Sequence, residues 1–514
     1  MKKLLPLLAL LLLTTCKREP VGPDTPATAD GNVLQERTDP VPVPQGDPLT
    51  REQLDALVIG KLERENDFRW DMVDLLTLWS AVQYNDHSVS IGYKPAHLAD
   101  IDGIIHTVNV QAGEWKAVHD ALIRLVLDDL NARSVKPVTL ADILVEDDPV
   151  LPVITLRLTD REVLTRLHNL VNVRYLEPLD YWPAVASDDR STSGCSPSTY
   201  ALNAADHTTI TPNAKLPWNF NNHGIPGAWT AAQGQGITVG VIDAGLSSAQ
   251  PYIGSAFNDG DSNVGRTFTA SATLGSSAYT TCSHGTAMAG QAVGPRNNGG
   301  ASTGVAYRSN LRFVRASEDV VLDKSSERTA VKNAFTVLGD DPSVRVISIS
   351  LGTPFSYSVL SDGVNYATGK GKLILAAGGT SFSWTSWWGV IYPAAYSNCV
   401  AVTGVKENGG KCSSCHDGSQ IDLTICMERN SDSNRNSLSL SPSGATPSYI
   451  GGSSSATATA AGIAALVWSA KPTATRAQVL TCLTSTAQFA GAPSGSKGFG
   501  NINAQAAVSA AAAL

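Results

Sequence analysis

The chain has 514 residues, too many for one compact domain and enough for two or three. With 43% hydrophobic and 16% charged residues it has the composition of a globular protein, and a formal net charge of -8 gives no indication of a nucleic-acid partner. Residues 17–187 carry 16 basic and 28 acidic side chains, whereas residues 188–514 carry 20 and 18. This asymmetry predicts two bodies of different character.

The N-terminus has the pattern of an export signal. A basic start at residues 1–3 precedes an apolar run over residues 4–13 that is too short to span a bilayer. The run leads to Thr15-Cys16, which resembles the lipobox of bacterial lipoproteins, although that motif usually has Gly, Ala or Ser before the cysteine. We therefore expect residues 1–15 to be a signal peptide. The protein is predicted to be exported, as an outer-membrane or cell-envelope lipoprotein anchored through Cys16 or as a secreted protein.

Three regions are predicted between the signal and the main body of the chain. Residues 16–49 are rich in proline and are expected to be an extended tether. Residues 50–180 are expected to form a small α+β domain, which begins with a capping-box pattern at Thr50 and Gln53. Residues 181–212 are rich in Ser, Thr, Asp and Asn without periodicity, which predicts an exposed linker. The elements predicted in the α+β domain are helices to about residue 65, over 70–81, over 114–130 and over 160–170, and strands over 89–93, 104–110, 150–158 and 171–178.

Residues 213–514 alternate apolar strands with helical stretches. The strands are predicted over residues 236–243, 310–315, 344–351, 372–377 and 399–405, with a helix over residues 329–338. Near-continuous apolar strands that alternate with helices indicate an α/β fold, with a doubly wound, mainly parallel sheet flanked by helices. In such a sheet the functional site lies beyond the carboxyl ends of the strands.

Three residues in this region have the chemistry of nucleophilic catalysis. Asp243 ends a buried strand, His284 begins a helix of small residues, and Ser454 lies in a run of small residues that opens an apolar helix. A helix N-terminus has free N–H groups and a partial positive charge where an oxyanion would form. A serine also needs a base within reach and a carboxylate that orients the base. We therefore predict Asp243, His284 and Ser454 as a catalytic triad.

In this order, the three segments resemble the subtilase family of serine peptidases. Further matching segments lie at residues 215–218, 227–229, 303–315, 348–352 and 498–503, so that the resemblance covers about residues 213–514. The end of the α+β domain, at residues 171–178, is similar to the end of the inhibitory propeptides of subtilisin-like zymogens. The register of the small-residue helix of the family places the nucleophile at Ser454, not at Ser453 or Ser455.

The resemblance implies a subtilisin-like catalytic domain over residues 213–514 and an inhibitory propeptide over residues 50–180. It implies a secreted serine endopeptidase that hydrolyses proteins or peptides through an acyl-enzyme and is made as a self-processing zymogen. Its partners would then be its substrates and its own propeptide. No cofactor is expected to be required and no metal ligands are predicted; structural calcium is possible, but the residues do not identify a site for it.

The resemblance also assigns the substrate-binding and oxyanion residues. Ser350, Leu351 and Gly352 match the edge segment that pairs with the substrate backbone, and the backbone N–H of Ser454 matches one oxyanion donor. Gly379 departs from the family, which has at this position an asparagine whose side-chain amide is the second donor. Loss of that donor costs subtilisin about 100- to 1,000-fold in rate. Thr380, a water or a main-chain N–H are candidate substitutes.

Two expectations follow from this departure. Gly379→Asn is expected to raise the turnover of the enzyme, because it would restore the missing donor. The alternative to an active peptidase is a weak or inactive pseudopeptidase that uses the same cleft as a peptide-binding module.

The cysteines allow a rival hypothesis. Cys412, Cys415 and His416 form the pattern C-x-x-C-H of c-type haem attachment, and Cys426 lies near enough in sequence to suggest a zinc site. A haem-bearing electron carrier is therefore considered beside the peptidase. In an exported protein, however, cysteines are more often disulfide partners. Without Cys16 seven cysteines remain, so one free thiol is expected, and Cys282 is a candidate for it.

Overall fold

The computed structural model describes residues 33–184, 194–380 and 389–514. The predicted signal peptide, the lipidation site at Cys16 and the first half of the predicted tether lie outside the described residues, as does part of the predicted linker. Within the described ranges, no helix combines the length and the apolar character needed to cross a membrane.

The N-terminal domain is a small α+β unit, as predicted. Its elements are α1 (Arg51–Glu65), α2 (Leu75–Gln83), β1 (Ser88–Tyr93), α3 (Gly113–Arg133), α4 (Leu140–Ile143), β2 (Leu144–Asp147), β3 (Val153–Arg157), α5 (Arg161–His168) and β4 (Val173–Glu177). The strands form an antiparallel sheet in the order β2-β3-β1-β4. Helix α1 begins with the predicted capping box, in which the Thr50 side chain accepts from the backbone N–H of Gln53.

Two details of this domain differ from the sequence prediction. The stretch predicted as one helix over 70–81 is a 3-10 turn followed by α2, and the stretch predicted as a strand over 104–110 contains a 3-10 turn at Ile105–Thr107. At this turn Ile105 is buried and Ile104 is exposed, and the turn packs against the helix over residues 358–369 of the C-terminal body. The β-branched residues favour a strand locally, but tertiary packing decides the outcome.

Residues 33–49 are mostly exposed, but hydrogen bonds attach them to the N-terminal domain, so they are not a free tether. The backbone N–H of Gln35 donates to the Asn172 side chain and the N–H of Val171 donates to Gln35 O, both at 2.8 Å. The N–H of Arg37 donates to Asn169 O at 2.7 Å. The segment therefore binds to the connection between α5 and β4, where its backbone groups and those of the connection satisfy one another by hydrogen bonds.

The C-terminal body contains the predicted α/β sheet. Its elements are β5 (His207–Ile210), β6 (Ala214–Pro217), α6 (Ile225–Ala228), β7 (Thr238–Asp243), β8 (Phe268–Ala272), α7 (His284–Val293), β9 (Asn310–Arg315), α8 (Ser325–Asp340), β10 (Val344–Ile349), α9 (Ser358–Gly369), β11 (Leu373–Ala377), β12 (Val400–Lys406), β13 (Leu423–Glu428), β14 (Ser437–Leu440), β15 (Pro447–Ile450), α10 (Gly452–Ala470), α11 (Arg476–Ser485) and α12 (Ala504–Ala512).

Seven strands form a parallel sheet in the order β13-β12-β11-β10-β7-β9-β8. Ile347 and Ile374 face the core that contains α8 and α9, whereas Val346 and Leu373 face the core that contains α7 and α10. Because helices cover both faces, the strands are apolar throughout. The predicted doubly wound fold is confirmed, and β7, which ends at Asp243, is an inner strand of the sheet.

The N-terminal domain packs on the α8 and α9 face of this sheet. Apolar residues of both bodies form one buried cluster. At its edge the Arg174 guanidinium makes two hydrogen bonds to the Asp362 carboxylate, at 2.9 and 2.7 Å. The buried Lys332 ammonium contacts Glu146 at 2.9 Å and also pairs with Asp148. Shared apolar burial and specific ion pairs thus hold the two bodies in one arrangement.

The second half of the predicted linker belongs to the C-terminal body. Strands β5 and β6 form a hairpin within and just beyond it. Asp206 is fully buried, and its carboxylate accepts from Arg429 at 2.9 Å and from Arg435 at 2.7 and 2.8 Å. Most of residues 194–213 are exposed, as the polar composition predicted, whereas Asp206 is buried and its carboxylate is satisfied by residues from a distant part of the chain. The C-terminal body therefore begins before residue 206 rather than at residue 213.

Candidate functional site

Two predicted site residues meet at the carboxyl end of β7. Asp243 is the last residue of this strand and His284 is the first residue of α7. Oδ1 of Asp243 lies 2.7 Å from Nδ1 of His284, and both side chains are buried. Gly285 permits this approach, because a Cβ there would lie 2.4 Å from the carbonyl oxygen of Gly245. The sequence signal for this contact is the small-residue pattern that follows the histidine.

The contact changes the electrostatics of the imidazole. Burial disfavours the charged form of His284, but the charge of Asp243 and its hydrogen bond outweigh burial, with a smaller contribution from Asp319. The pKa of His284 is therefore raised above its ordinary value. A hydrogen bond to Nδ1 fixes the ring orientation and makes the other nitrogen, Nε2, the atom that can accept a proton from another group.

Ser454 lies in the first turn of α10, the helix that packs against α7. It is partly exposed, whereas its neighbours Ser453 and Ser455 are buried. Its N–H is among the first in the helix, which have no intrahelical acceptor. No hydrogen bond between described residues joins its Oγ to the imidazole, and such contacts are often loose without substrate. The structure thus joins Asp243 to His284 directly and places Ser454 on the adjoining helix.

In the loop after β11, the backbone conformation and a close neighbour favour glycine at position 379. Gly379 has a φ of +123°, and a Cβ there would lie 2.4 Å from Nδ1 of His416. Its backbone N–H donates to Oγ of Ser453 at 3.1 Å. The backbone conformation and the position of His416 therefore argue against Gly379→Asn as a source of an oxyanion donor.

The C-x-x-C-H motif supports this loop. Cys412 and Cys415 form a disulfide, so the two thiols that haem attachment would consume are bonded to each other. The N–H of His416 donates to Gly379 O at 2.9 Å, and Thr380 pairs with Cys415 in an antiparallel bridge. Burial lowers the pKa of His416 to about 4, so its ring is neutral. The haem hypothesis is thus contradicted, and no cluster of three metal-binding side chains occurs in the described part of the chain.

The predicted substrate edge is already paired within the chain. The N–H of Gly352 donates to Val320 O at 3.0 Å, and Gly352 O accepts from Leu322 N at 2.9 Å. Leu351 is buried, and the Ser350 hydroxyl donates to Ser454 O at 3.2 Å. A substrate strand would have to displace residues 320–322 from Gly352. The substrate-binding role of residues 350–352 therefore stays a prediction.

A second disulfide lies beside the histidine, and sequence reasoning missed it. Cys195 is bonded to Cys282, so Cys282 is not a free thiol; the free cysteines in the described residues are Cys399, Cys426 and Cys482. The only sequence signal for this disulfide was the presence of one cysteine in the predicted linker and another just before His284. Cys195 O accepts from the Ser283 N–H at 3.1 Å and from its hydroxyl at 3.0 Å.

This disulfide holds the end of the linker against the imidazole. A Cβ added to Gly194 would lie 3.4 Å from Cδ2 of His284 and 2.4 Å from Cγ1 of Val320. Residues 194 and 195 therefore cover one side of the candidate site.

Comparison with known proteins supplies independent relatives. A sequence profile of the subtilase family matches residues 234–501. Thermitase from Thermoactinomyces vulgaris is 34% identical over 200 residues, which cover 38% of this chain and 65% of thermitase. An extracellular protease from Xanthomonas campestris pv. campestris is 33% identical over 339 residues, which cover 59% of this chain and 58% of that protein. The chain thus spans somewhat less than two thirds of either relative.

Among solved structures, a protease from Pseudoalteromonas arctica resembles this chain with a TM-score of 0.46 and 24% sequence identity. The similarity covers 56% of this chain and 94% of that one.

Proposed function

Because the chain belongs to the subtilase family, we propose that it is a secreted serine endopeptidase that hydrolyses peptide bonds in proteins through Asp243, His284 and Ser454. The observation that carries this proposal is the 2.7 Å contact between the Asp243 carboxylate and the His284 imidazole at the carboxyl end of an inner strand. Ser454 lies in the first turn of α10, which packs against α7, the helix that begins with that histidine.

The chemistry follows from these positions. Ser454 Oγ forms a bond to the carbonyl carbon of the substrate while its proton passes to Nε2 of His284, and the carbonyl π electrons move to the oxygen. When the carbonyl re-forms, the C–N bond breaks and the imidazolium gives its proton to the leaving amine. Water then repeats the sequence on the acyl-enzyme and releases the acid. Asp243 holds the imidazole in place and stabilises the imidazolium.

The N-terminal domain is proposed to be an inhibitory propeptide that the enzyme removes itself. Its buried contacts with α8 and α9 support this role, because they include the Arg174–Asp362 ion pair. The cleavage site is proposed to lie before residue 203, since Asp206 is anchored in the interior of the C-terminal body. The sequence over residues 1–16 supports export and the candidate lipid anchor at Cys16.

A Ser454→Ala variant tests the proposal. The purified variant should remain full-length, should hydrolyse no peptide substrate and should not react with a fluorophosphonate probe, which labels only an activated serine. Ser455→Ala is the matched control, because Ser455 is the neighbouring buried serine and its hydroxyl has no hydrogen-bond partner among the described residues. Normal processing of Ser454→Ala in the absence of other proteases would refute the assignment.

A peptide-binding module without catalytic activity is the second candidate. It is favoured by the absence of a side chain at Gly379 and by the pairing of Gly352 with residues 320–322. The same probe separates the candidates. A pseudopeptidase would bind peptides but leave Ser454 unlabelled in the processed protein.

A further inference from the structure

We propose that Thr380 is a further catalytic residue, whose hydroxyl donates a hydrogen bond to the oxyanion in place of the side-chain amide that Gly379 cannot carry. This inference rests on the proposed peptidase function and deepens it. It also gives a role to the C-x-x-C-H motif, which the triad leaves without one.

Thr380 lies at the N-terminus of the helix that carries the nucleophile. Its Oγ1 accepts from the backbone N–H of Ser453, the residue before Ser454, at 3.3 Å. The hydroxyl approaches this closely because position 452 is a glycine with a φ of +74°, where a Cβ would lie 2.7 Å from the Thr380 oxygen. The Thr380 hydroxyl and the N–H of Ser454 thus share one edge of α10, the edge where the positive end of the helix dipole favours an anion.

The hydrogen bonds around Ser453 leave the Thr380 proton free. Ser453 Oγ accepts from the N–H of Gly379 at 3.1 Å and lies 3.2 Å from Oγ1 of Thr380. Ser453 is buried, and within the described ranges Thr380 is the neighbour that can accept its hydroxyl proton. Either hydroxyl of this pair could donate to the other. We assign the donor role to Ser453, so that Thr380 Oγ1 accepts from both the hydroxyl and the N–H of Ser453, which uses both of its lone pairs. The O–H of Thr380 is then free to donate elsewhere.

Thr380 is partly exposed, and the proposed role requires its free O–H to point toward the carbonyl oxygen of the substrate. When the Ser454 oxygen attacks, negative charge develops on the carbonyl oxygen of the substrate, and donors aimed at that oxygen stabilise the transition state. The N–H of Ser454 supplies one such donor and the Thr380 hydroxyl supplies the second. The ordered chain from Gly379 N–H through Ser453 to Thr380 polarises the last hydroxyl, which strengthens its donation.

The disulfide loop fixes the position of this hydroxyl. Thr380 forms an antiparallel bridge with Cys415, which is bonded to Cys412. His416 contacts two glycines. Its backbone N–H donates to Gly379 O at 2.9 Å, and its ring Nδ1 lies 2.9 Å from Gly389 O. A donor that is held before the reaction needs no reorganisation during it, and this is the condition for electrostatic stabilisation.

Thr380→Val and Thr380→Ser test the inference on the full-length chain. Valine has the shape of threonine without its hydroxyl, and serine keeps the hydroxyl. With a peptidyl p-nitroanilide substrate, Thr380→Val should lower kcat by about 100-fold with little change in KM, because the interaction forms only in the transition state. Thr380→Ser should recover most of the lost kcat. Thr230→Val is the control, since Thr230 is an exposed threonine outside the site and should retain wild-type kcat.

Thermal unfolding, the rate of processing and fluorophosphonate labelling of the wild type complete the test. A melting temperature equal to that of the wild type shows that a variant is folded. The processing rate of the purified precursor reports the attack of Ser454 on a peptide bond without any added substrate. A Thr380→Val kcat within threefold of the wild type would overturn the inference, as would equal loss in Thr380→Ser. If the wild-type protein itself neither hydrolyses the substrate nor reacts with a fluorophosphonate at Ser454, the proposed function fails; activity with no valine effect overturns only the role of Thr380.

Discussion

The backbone N–H of Ser358, the first residue of α9, donates to both carboxylate oxygens of Glu177, at 2.7 and 2.9 Å. Glu177 ends β4, so this contact joins the last strand of the N-terminal domain to the catalytic body. Burial raises the pKa of Glu177 to about 7, the N–H of Ser358 opposes the rise, and the charge of Asp362 adds to it. Between about pH 4.5 and pH 7 the docked Glu177 carboxyl group therefore keeps a proton, whereas a carboxyl group exposed to water has lost it.

The association of the two bodies should weaken as the pH rises. The pKa of Glu177 in the docked chain is higher than its ordinary value of 4.5, so the stabilisation is fully present below about 4.5 and is lost as the pH rises through about 7. The shift corresponds to about 3 kcal/mol. In a Ser454→Ala background, the free energy of unfolding should fall more between pH 5 and pH 8 with Glu177 than with Glu177→Gln. Equal pH slopes in the two chains would contradict this.

Gly379→Asn should lower both stability and activity, contrary to the expectation from the sequence. Its Cβ would meet His416 at 2.4 Å and its φ would be held at +123°. A residue in such a backbone region costs about 1–3 kcal/mol before the clash is counted. Gly371→Asn is the control, because Gly371 has a φ of +83° with nothing within 4 Å. The two melting temperatures should differ clearly, and equal losses would show that His416 gives way.

The neighbours of the nucleophile should respond differently to alanine. Ser455 Oγ is buried without a hydrogen-bond partner among the described residues, so Ser455→Ala should leave the free energy of unfolding unchanged or raise it by up to about 1 kcal/mol. Ser453→Ala removes the acceptor of the Gly379 N–H and should cost about 1–3 kcal/mol. Chemical denaturation of the two variants measures the difference. Equal stabilities would mean that the loop after β11 does not depend on Ser453.

Asp206→Asn should destabilise the C-terminal body by about 3–5 kcal/mol, because it removes the buried carboxylate that binds both Arg429 and Arg435, of which Arg429 keeps a second ion pair with Glu407. Asp432 supplies the control, since it is partly exposed and its carboxylate accepts from Tyr200 at the surface. Asp432→Asn should cost less than about 1 kcal/mol. Urea denaturation of the Ser454→Ala chain with each change makes the comparison, and a small effect at Asp206 would place residues 203–217 outside the folded body.

Periodicity predicted the fold of this chain better than its loops. Apolar strands such as β7 and β10 are buried on both faces, so their sequence alone indicates a parallel sheet. The segments at Asp243 and His284 were identified from local pattern, and their contact follows from where strands end in such a sheet. The anchoring of Asp206 and Gln35 was not predicted, because their partners lie far away in sequence. Thr380 was a candidate oxyanion donor from the sequence, but its environment depends on residues from three separate segments and could not be predicted.

The Cys195–Cys282 disulfide makes the stretch between these residues a closed ring, with 87 positions separating its ends. A single cut inside the ring opens it but frees neither fragment, because the sulfur bond still joins them. A cut before Cys195 lies outside the ring and separates the N-terminal domain from everything that follows, except for noncovalent contacts. The position of processing can therefore be read from two denaturing gels: fragments that separate without reductant place the cut before Cys195, and fragments that separate only with reductant place it after.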